Sequence, residues 1–220
     1  MTALLSGGQV QRVAILGAGH VGPVFARLAM DAGFHVAIAA SGSPEKIALV
    51  SEVVIPGAEP RWASDAVKDA DIVILAMPLH KFVTFDPALV AQKLVIDAMN
   101  YWPAADGVLE MFQDPRSTSS EVVQGRLSNS TVVKSLNHIG YQDLEDARRP
   151  AGSPERCAIG VAGDDLTAAQ VVEEFIERLG YDAVRLNSLS AGRLLEPGGP
   201  VFGALLHRSD FEQAVTAQAA

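Results

Sequence analysis

Three glycines at one-three-six spacing, Gly17-x-Gly19-x-x-Gly22, follow the apolar run Val13-Ala14-Ile15-Leu16. They precede a segment that places Val21, Val24, Phe25, Leu28 and Ala29 on one helical face. Each glycine has its own task in such a bend. The first permits a tight turn, the second lets the backbone approach a pyrophosphate, and the third lets the helix pack close on the strand; unpaired N–H groups and the positive helix end then face the phosphates. Gly33 falls where the helix should stop, and Val36 to Ala40 reads as the next strand. Strand, glycines, helix, stop and strand come in the order a dinucleotide-binding unit requires. Gly17, Ala18, Gly19, His20, Val21 and Gly22 are therefore the expected backbone contacts.

The ribose of the adenosine half is read at the end of the second strand, about 20 residues past the first glycine. The residues there are Ala39, Ala40, Ser41, Gly42, Ser43, Pro44, Glu45 and Lys46, with no carboxylate at the strand tip. A carboxylate would accept the ribose hydroxyls of NAD and repel a 2′-phosphate. Ser41 and Ser43 offer hydroxyls instead, and Lys46 can bring a positive charge, so NADP(H) is the expected nucleotide. The same residues also read as a plain loop into a helix, with Ser43 as the cap and Pro44 at the first helical position.

In a doubly wound sheet the ligand lies across the carboxyl ends of the strands. Met77-Pro78-Leu79-His80-Lys81 follows one strand; Met77 and Pro78 can line the nicotinamide end, while His80 or Lys81 reaches for phosphate or substrate. Asn100-Tyr101-Trp102 follows another, and Asn137-His138 a third. An amide beside an imidazole can orient a heteroaromatic substrate, so Asn100, Asn137 and His138 join Pro78 as acceptor-side candidates. A surface His and Lys, core aromatics and a loop histidine bonded to backbone are the structural alternatives. No Tyr-x-x-x-Lys pair, Ser/His/Asp set or metal-ligand set is recognisable, and no catalytic residue is assigned. Hydride transfer between ring carbons needs positioning above all, which by itself is worth ~7–11 kcal/mol.

The elements that must position these loops alternate along the chain. Strand signals recur at Val13 to Leu16, His35 to Ala40, Ile72 to Ala76, Leu94 to Ala98, Thr131 to Ser135 and Cys157 to Ala162, which implies an α/β Rossmann-type, doubly wound parallel sheet. Val53-Val54-Ile55 reads as a short third strand and Ser64 to Asp69 as a brief helix. Thr118 with Glu121 reads as a capping box. Gly140 to Pro154 is polar and proline-bounded, which suggests a linker or surface excursion. Beyond it, Val171, Val172, Phe175, Ile176 and Leu179 share a helical face that Asp164 or Asp165 starts and Gly180 ends. The tail offers a short helix from Leu189 to Leu195 and an apolar patch of Val201, Phe202, Leu205 and Leu206, suited to packing on the first domain or to a dimer seam. The expected division is 1–140 as the NADP-binding domain and 141–220 as a small α/β part that completes the acceptor site.

Composition bounds the rest. The chain has 220 residues, a net charge of −9 and a single cysteine, Cys157, which excludes an internal disulfide and suggests a buried, inert thiol. Without a lysine or arginine run, nothing replaces phosphate counterions, which argues against nucleic acid as a partner. Apolar stretches all fall short of the ~20 residues that span a bilayer, and Met1 to Gln11 lacks the form of a signal peptide, so no membrane and a cytoplasmic location are expected.

The later motifs carry a resemblance. Ala76-Met77-Pro78, Ile96-Asp97-Ala98-Met99-Asn100, Ser119-Ser120-Glu121, Val133-Lys134-Ser135-Leu136-Asn137-His138, Ala162-Gly163-Asp164-Asp165 and Leu189-x-x-x-Arg193-x-Leu195-Glu196, together with the glycine bend and the Ser41 to Pro44 loop, resemble the NADPH-dependent reductases of coenzyme F-420. The resemblance implies a homodimer with an NADP-binding doubly wound domain and a small C-terminal part. It implies hydride transfer between NADP(H) and the deazaflavin coenzyme F-420, or a related flavin-like acceptor, held in one cleft. Nucleotide binding then carries onto Gly17, Gly19, Gly22, Ser41 and Ser43, and a deazaflavin pocket onto Pro78, Asn100, Asn137 and His138. Lys81, Arg116, Lys134 and Arg193 could meet the acidic tail of that coenzyme. Related sequences often place an arginine after the loop serine, where this chain has Gly42. Two alternatives stay open: an NADPH-dependent reductase of a small carbonyl, imine or biosynthetic intermediate, and a non-catalytic dinucleotide sensor.

Overall fold

The computed structural model describes residues 10–218. Its centre is one sheet of β1 (Arg12–Leu16), β2 (His35–Ala39), β3 (Glu59–Pro60), β4 (Ile72–Leu75), β5 (Leu94–Asp97), β6 (Thr131–Lys134), β7 (Ala158–Ala162) and β8 (Asp182–Leu186), in the order β3-β2-β1-β4-β5-β6-β7-β8. β1 to β6 are all parallel, as expected of strands joined by crossovers. β4 and β5 are buried at every position, which only a sheet covered on both faces permits. The order of the strands reverses between β1 and β4, and this switch point, at the carboxyl ends, is where doubly wound sheets take their ligands.

Alternation along the strands sorts side chains into two layers. Ile15, Ile38, Ile74 and Ile96 face α1 (Val21–Asp31) and α8 (Leu166–Leu179), whose Val24, Phe25, Leu28, Val172, Phe175 and Ile176 meet them. Ala14, Leu16, Val73, Leu75 and Val95 face α3 (Ala63–Lys68), α4 (Leu79–Phe82) and α6 (Ser119–Arg126). The expected capping box is present on α6: the Glu121 N–H donates to the Thr118 hydroxyl at 3.1 Å, and the Thr118 N–H donates to the Glu121 carboxylate at 2.7 Å. Thr118→Ala is expected to cost about 1 kcal/mol, read as a lower midpoint in urea unfolding.

Two sequence expectations are corrected. Val53-Val54-Ile55 is not a strand: α2 (Ala48–Val53) runs into it, and the third strand is Glu59–Pro60. Ile47, Ser51 and Ile55, four residues apart, are the buried positions, while Val53 and Val54 face solvent. Helical spacing outweighs β-branched propensity here. The stretch from Gly140 to Pro154 is more than a linker, because α7 (Tyr141–Ala147) forms within it and docks on α1. Leu144 and Ala147 are buried, Arg27 grips Glu145 at 2.6 and 2.7 Å, and the Tyr181 hydroxyl donates to the Leu144 carbonyl.

The C-terminal strands extend the same sheet. β7 meets β6 antiparallel through the single pair Lys134 and Ala162, then pairs parallel with β8. Asp165 caps α8 by accepting from the Thr167 and Ala168 N–H groups, and Gly180 ends it in the left-handed region. Leu195, Val201 and Phe211, with α9 (Arg208–Ala217), cover the remaining face of β7 and β8. Among the described residues no helix is long and apolar enough to cross a membrane, and no group of residues is arranged to hold a metal ion.

Candidate dinucleotide cleft

The three glycines of the bend meet three different surroundings. Gly17 has φ +134°, and a Cβ there would lie 2.2 Å from the Ala76 carbonyl oxygen. A Cβ on Gly22 would lie 1.8 Å from the Gly17 carbonyl oxygen. Both positions are closed to any side chain, because the opposing atoms are backbone. Around Gly19, by contrast, nothing lies within 4 Å of an added Cβ. Two glycines fold the turn and hold α1 close, while the middle one keeps the space in front of the turn clear. That space also faces the start of α1, where His20 gives no side-chain cap to the first-turn N–H groups and no acidic residue stands. A helix end left open and uncharged suits an anion.

Around this bend the carboxyl ends bring most of the sequence candidates together. Ala18 and Val21 lie on the bend itself, partly buried against the core. The Gly17 N–H donates to the Ala39 carbonyl at 2.8 Å, tying the bend to the β2 end that carries Ser41 and Ser43. Gly42 has φ +103°, and the Lys46 amine would lie 3.1 Å from a Cβ built on it, so the lysine folds back over the serine loop. The Ser43 hydroxyl is engaged with Glu45 and does not cap the following turn. Ser41 and Lys46 remain the exposed polar pair at the ribose end. Met77 packs partly buried against the core while Pro78 is exposed at the start of α4.

His80 is held from behind. The Asp106 carboxylate accepts the His80 N–H at 3.3 Å and faces its Nδ1 at 3.0 Å, and it also accepts the Trp102 N–H at 3.0 Å. The carboxylate is 4% exposed and the imidazole 44%, so the ring is oriented with Nε2 outward. Asp106 was not legible in the sequence as a partner of His80, since only folding of the short helix α5 (Pro103–Asp106) after β5 brings it beneath α4. Tyr141 was missed for the same reason: its ring lies 6.0 Å from that of His20, nearly parallel at 16°, so the first turns of α1 and α7 meet over the bend.

Asn100 and Asn137 form a reciprocal pair. The Asn100 side-chain amide donates to the Asn137 backbone carbonyl at 2.8 Å, and that of Asn137 donates to the Asn100 Oδ1 at 3.0 Å and the Leu195 carbonyl at 2.6 Å. The Asn137 Oδ1 is buried without a partner, and the preceding Leu136 has φ +64°. A residue in the left-handed region thus stands beside an unsatisfied acceptor.

His138 does not join them. It is 1% exposed, packs its ring 5.5 Å from Phe211, and accepts the Gly160 N–H at Nε2 over 3.1 Å. Burial pushes its pKa down to about 4, the Val201 backbone opposing in part, while its Nδ1 is buried without a hydrogen-bond partner. The imidazole is a neutral core group that joins β6, β7 and the tail. Lys134 is likewise buried completely, and Arg116 pairs with Asp114. Glu196 accepts from Ser119 at 2.6 Å, and among the described residues it makes no ion pair with Arg193.

Comparison with known proteins agrees with this architecture. Residues 12–101 match the family model described as NADP oxidoreductase, coenzyme F-420-dependent, so the family resemblance holds over that segment. Hypothetical protein SMa0349 from Sinorhizobium meliloti superposes with a TM-score of 0.75 at 26% identity, over 90% of this chain and 96% of that one. A protein from Arthrobacter sp. FB24, provisionally named an F-420-dependent NADP reductase, gives 0.68 at 22% identity, over 83% and 87%. An imine reductase from Pseudomonas sp. gives 0.54 at 18% identity, over 83% of this chain but 58% of that one. The latter two likenesses show the fold. Among curated proteins nothing matches.

Proposed function

We propose, from the premise that residues 12–101 match the NADP oxidoreductase family, that this chain moves hydride between NADP(H) and a flat heterocyclic acceptor, coenzyme F-420 or a related flavin-like compound. One observation supports this above the rest: of three glycines in the bend, two are closed by backbone and the middle one opens onto an uncapped helix end. That arrangement fits a diphosphate. Backbone N–H groups from Ala18 to Gly22 would hold it, and Ser41 with Lys46 would receive the 2′-phosphate. When bound, the reduced pyridine ring supplies the hydride. The chain's own work is to fix two rings face to face, with Met77 and Pro78 on one side and the Asn100–Asn137 pair on the other.

The acceptor is tested anaerobically with purified protein, NADPH, and separately coenzyme F-420, free flavins, and small carbonyl and imine compounds. Multiple turnovers that bleach the deazaflavin or flavin are expected. Turnover with carbonyls or imines alone would replace this reading, and the oriented His80 gives that second reading a physical basis, because an imidazole fixed by Asp106 can deliver a proton to a reduced carbonyl or imine. NADPH binding without turnover on any acceptor would leave a sensor.

Nucleotide choice has its own test. Lys46→Ala is expected to raise the Kd for NADPH about five- to tenfold and leave that for NADH unchanged, measured by titration calorimetry. Equal weakening of both would place Lys46 outside the 2′-phosphate site.

A further inference from the structure

Among the described residues, only Lys134 and Asp97 form an ion pair with both side chains fully buried, at 0% and 1% exposure. They end the adjacent strands β6 and β5, one residue row below the acceptor side of the cleft. Their closest contacts are not with each other. The Lys134 ammonium lies 3.4 Å from Asp97 Oδ2 and 3.4 Å from the Ser119 hydroxyl, but 2.5 Å from the Met99 carbonyl. Asp97 Oδ1 accepts the Met99 N–H at 3.0 Å, while Oδ2 takes the Ser120 hydroxyl. Both backbone polar groups of Met99 are therefore held by the pair. The next residue is Asn100, whose amide locks onto Asn137.

A buried ion pair seldom adds net stability over apolar side chains of the same volume, since two charges must be desolvated. What this pair adds is a backbone fixed on both sides of one residue, Met99. The fold also makes room for it: a Cβ on Gly192 would lie 3.3 Å from the Lys134 Cγ, so the tail crosses the lysine stem with its smallest residue. Ser119, bonded to Lys134, also binds Glu196, which links the clamp to the C-terminal part.

We infer that Lys134 and Asp97 are positioning residues: they clamp the Met99 backbone from its N–H and its carbonyl and so present the Asn100–Asn137 pair to the ring of the hydride acceptor. The acceptor half of this statement rests on the function proposed above; the clamp itself does not.

The test uses the full chain with the double substitution Lys134→Met and Asp97→Leu, which removes both charges together, and with them both hydrogen bonds to the Met99 backbone. Ligand-free hydrogen exchange at the Met99 N–H is expected to quicken at least about tenfold while β4 and β5 keep their protection. Turnover with the acceptor is expected to fall at least about tenfold in kcat/KM, with the Kd for NADPH within about twofold of the parent. Should the double variant fail to fold, Ser120→Ala, which frees Asp97 Oδ2, is expected to raise Met99 exchange alone. Parent-like exchange in the variant that folds overturns the clamp. Faster exchange with unchanged acceptor kinetics overturns its role toward the acceptor. A parent chain that turns over no acceptor overturns the function above, while the exchange result still decides the clamp.

Discussion

Gly19→Asp is expected to abolish measurable NADPH binding while leaving the fold intact. The open space beside Gly19 accepts a side chain without a clash, and its φ lies outside the left-handed region, so the substitution should move Tm by no more than about 2 °C. The carboxylate would then stand where the diphosphate must. Two like charges about 4 Å apart at an effective dielectric near 20 repel by roughly 4 kcal/mol, and solvent screening at this exposed site still leaves at least about a hundredfold in Kd. Gly22→Ala makes the contrast. Its Cβ would enter the Gly17 carbonyl, which is backbone and cannot step aside, so α1 must shift. Loss of both Tm and affinity is expected there. Calorimetric titration and a thermal melt on the two variants separate a binding glycine from a folding one, and unchanged affinity in Gly19→Asp would remove the dinucleotide site.

Acid should destabilise this protein through one histidine. His138 is buried and neutral, with a pKa of about 4 against 6.5 for the ordinary side chain. Below pH 6.5 the unfolded chain takes up a proton there that the native chain refuses until about pH 4. The unfolded state therefore binds more protons in that window, and native stability falls as pH falls through it, by about 3 kcal/mol in total. Above pH 6.5 the contribution is complete. Urea unfolding from pH 4 to 7 should show a slope that His138→Gln lacks, since carboxylates contribute equally to both proteins. Parallel curves would mean that the imidazole is not shielded from protonation in the native state.

How far these sites were legible depended on the range of the interactions that make them. The glycine bend could be read from its spacing, because a tight turn, a close helix and an open middle position fall within six residues; that the Ala76 carbonyl closes Gly17 was left to the tertiary structure. The capping box at Thr118 and Glu121 and the stop at Gly180 are equally local, and both are present as expected. The third strand was misplaced because β-branched side chains at Val53 to Ile55 suit either state, and burial of Ile47, Ser51 and Ile55 decided for the helix.

Residue type alone could not show which polar groups face the cleft. Asn137 and His138 are neighbours in sequence, yet the amide pairs with Asn100 while the imidazole turns into the core against Phe211. Lys134 reads as a cation and is buried completely, because β7 and the tail fold over its strand. Asp106 and Tyr141 reach His80 and His20 only after loops from distant strands converge.

The sequence by itself determined the doubly wound sheet and the place of the dinucleotide bend, since these follow from hydrophobic period and glycine spacing within short windows. Only the tertiary structure decided which side chains stand on the acceptor side and which charges are buried beneath it, because those depend on how β7, β8 and the tail close against strands more than twenty residues away in the chain.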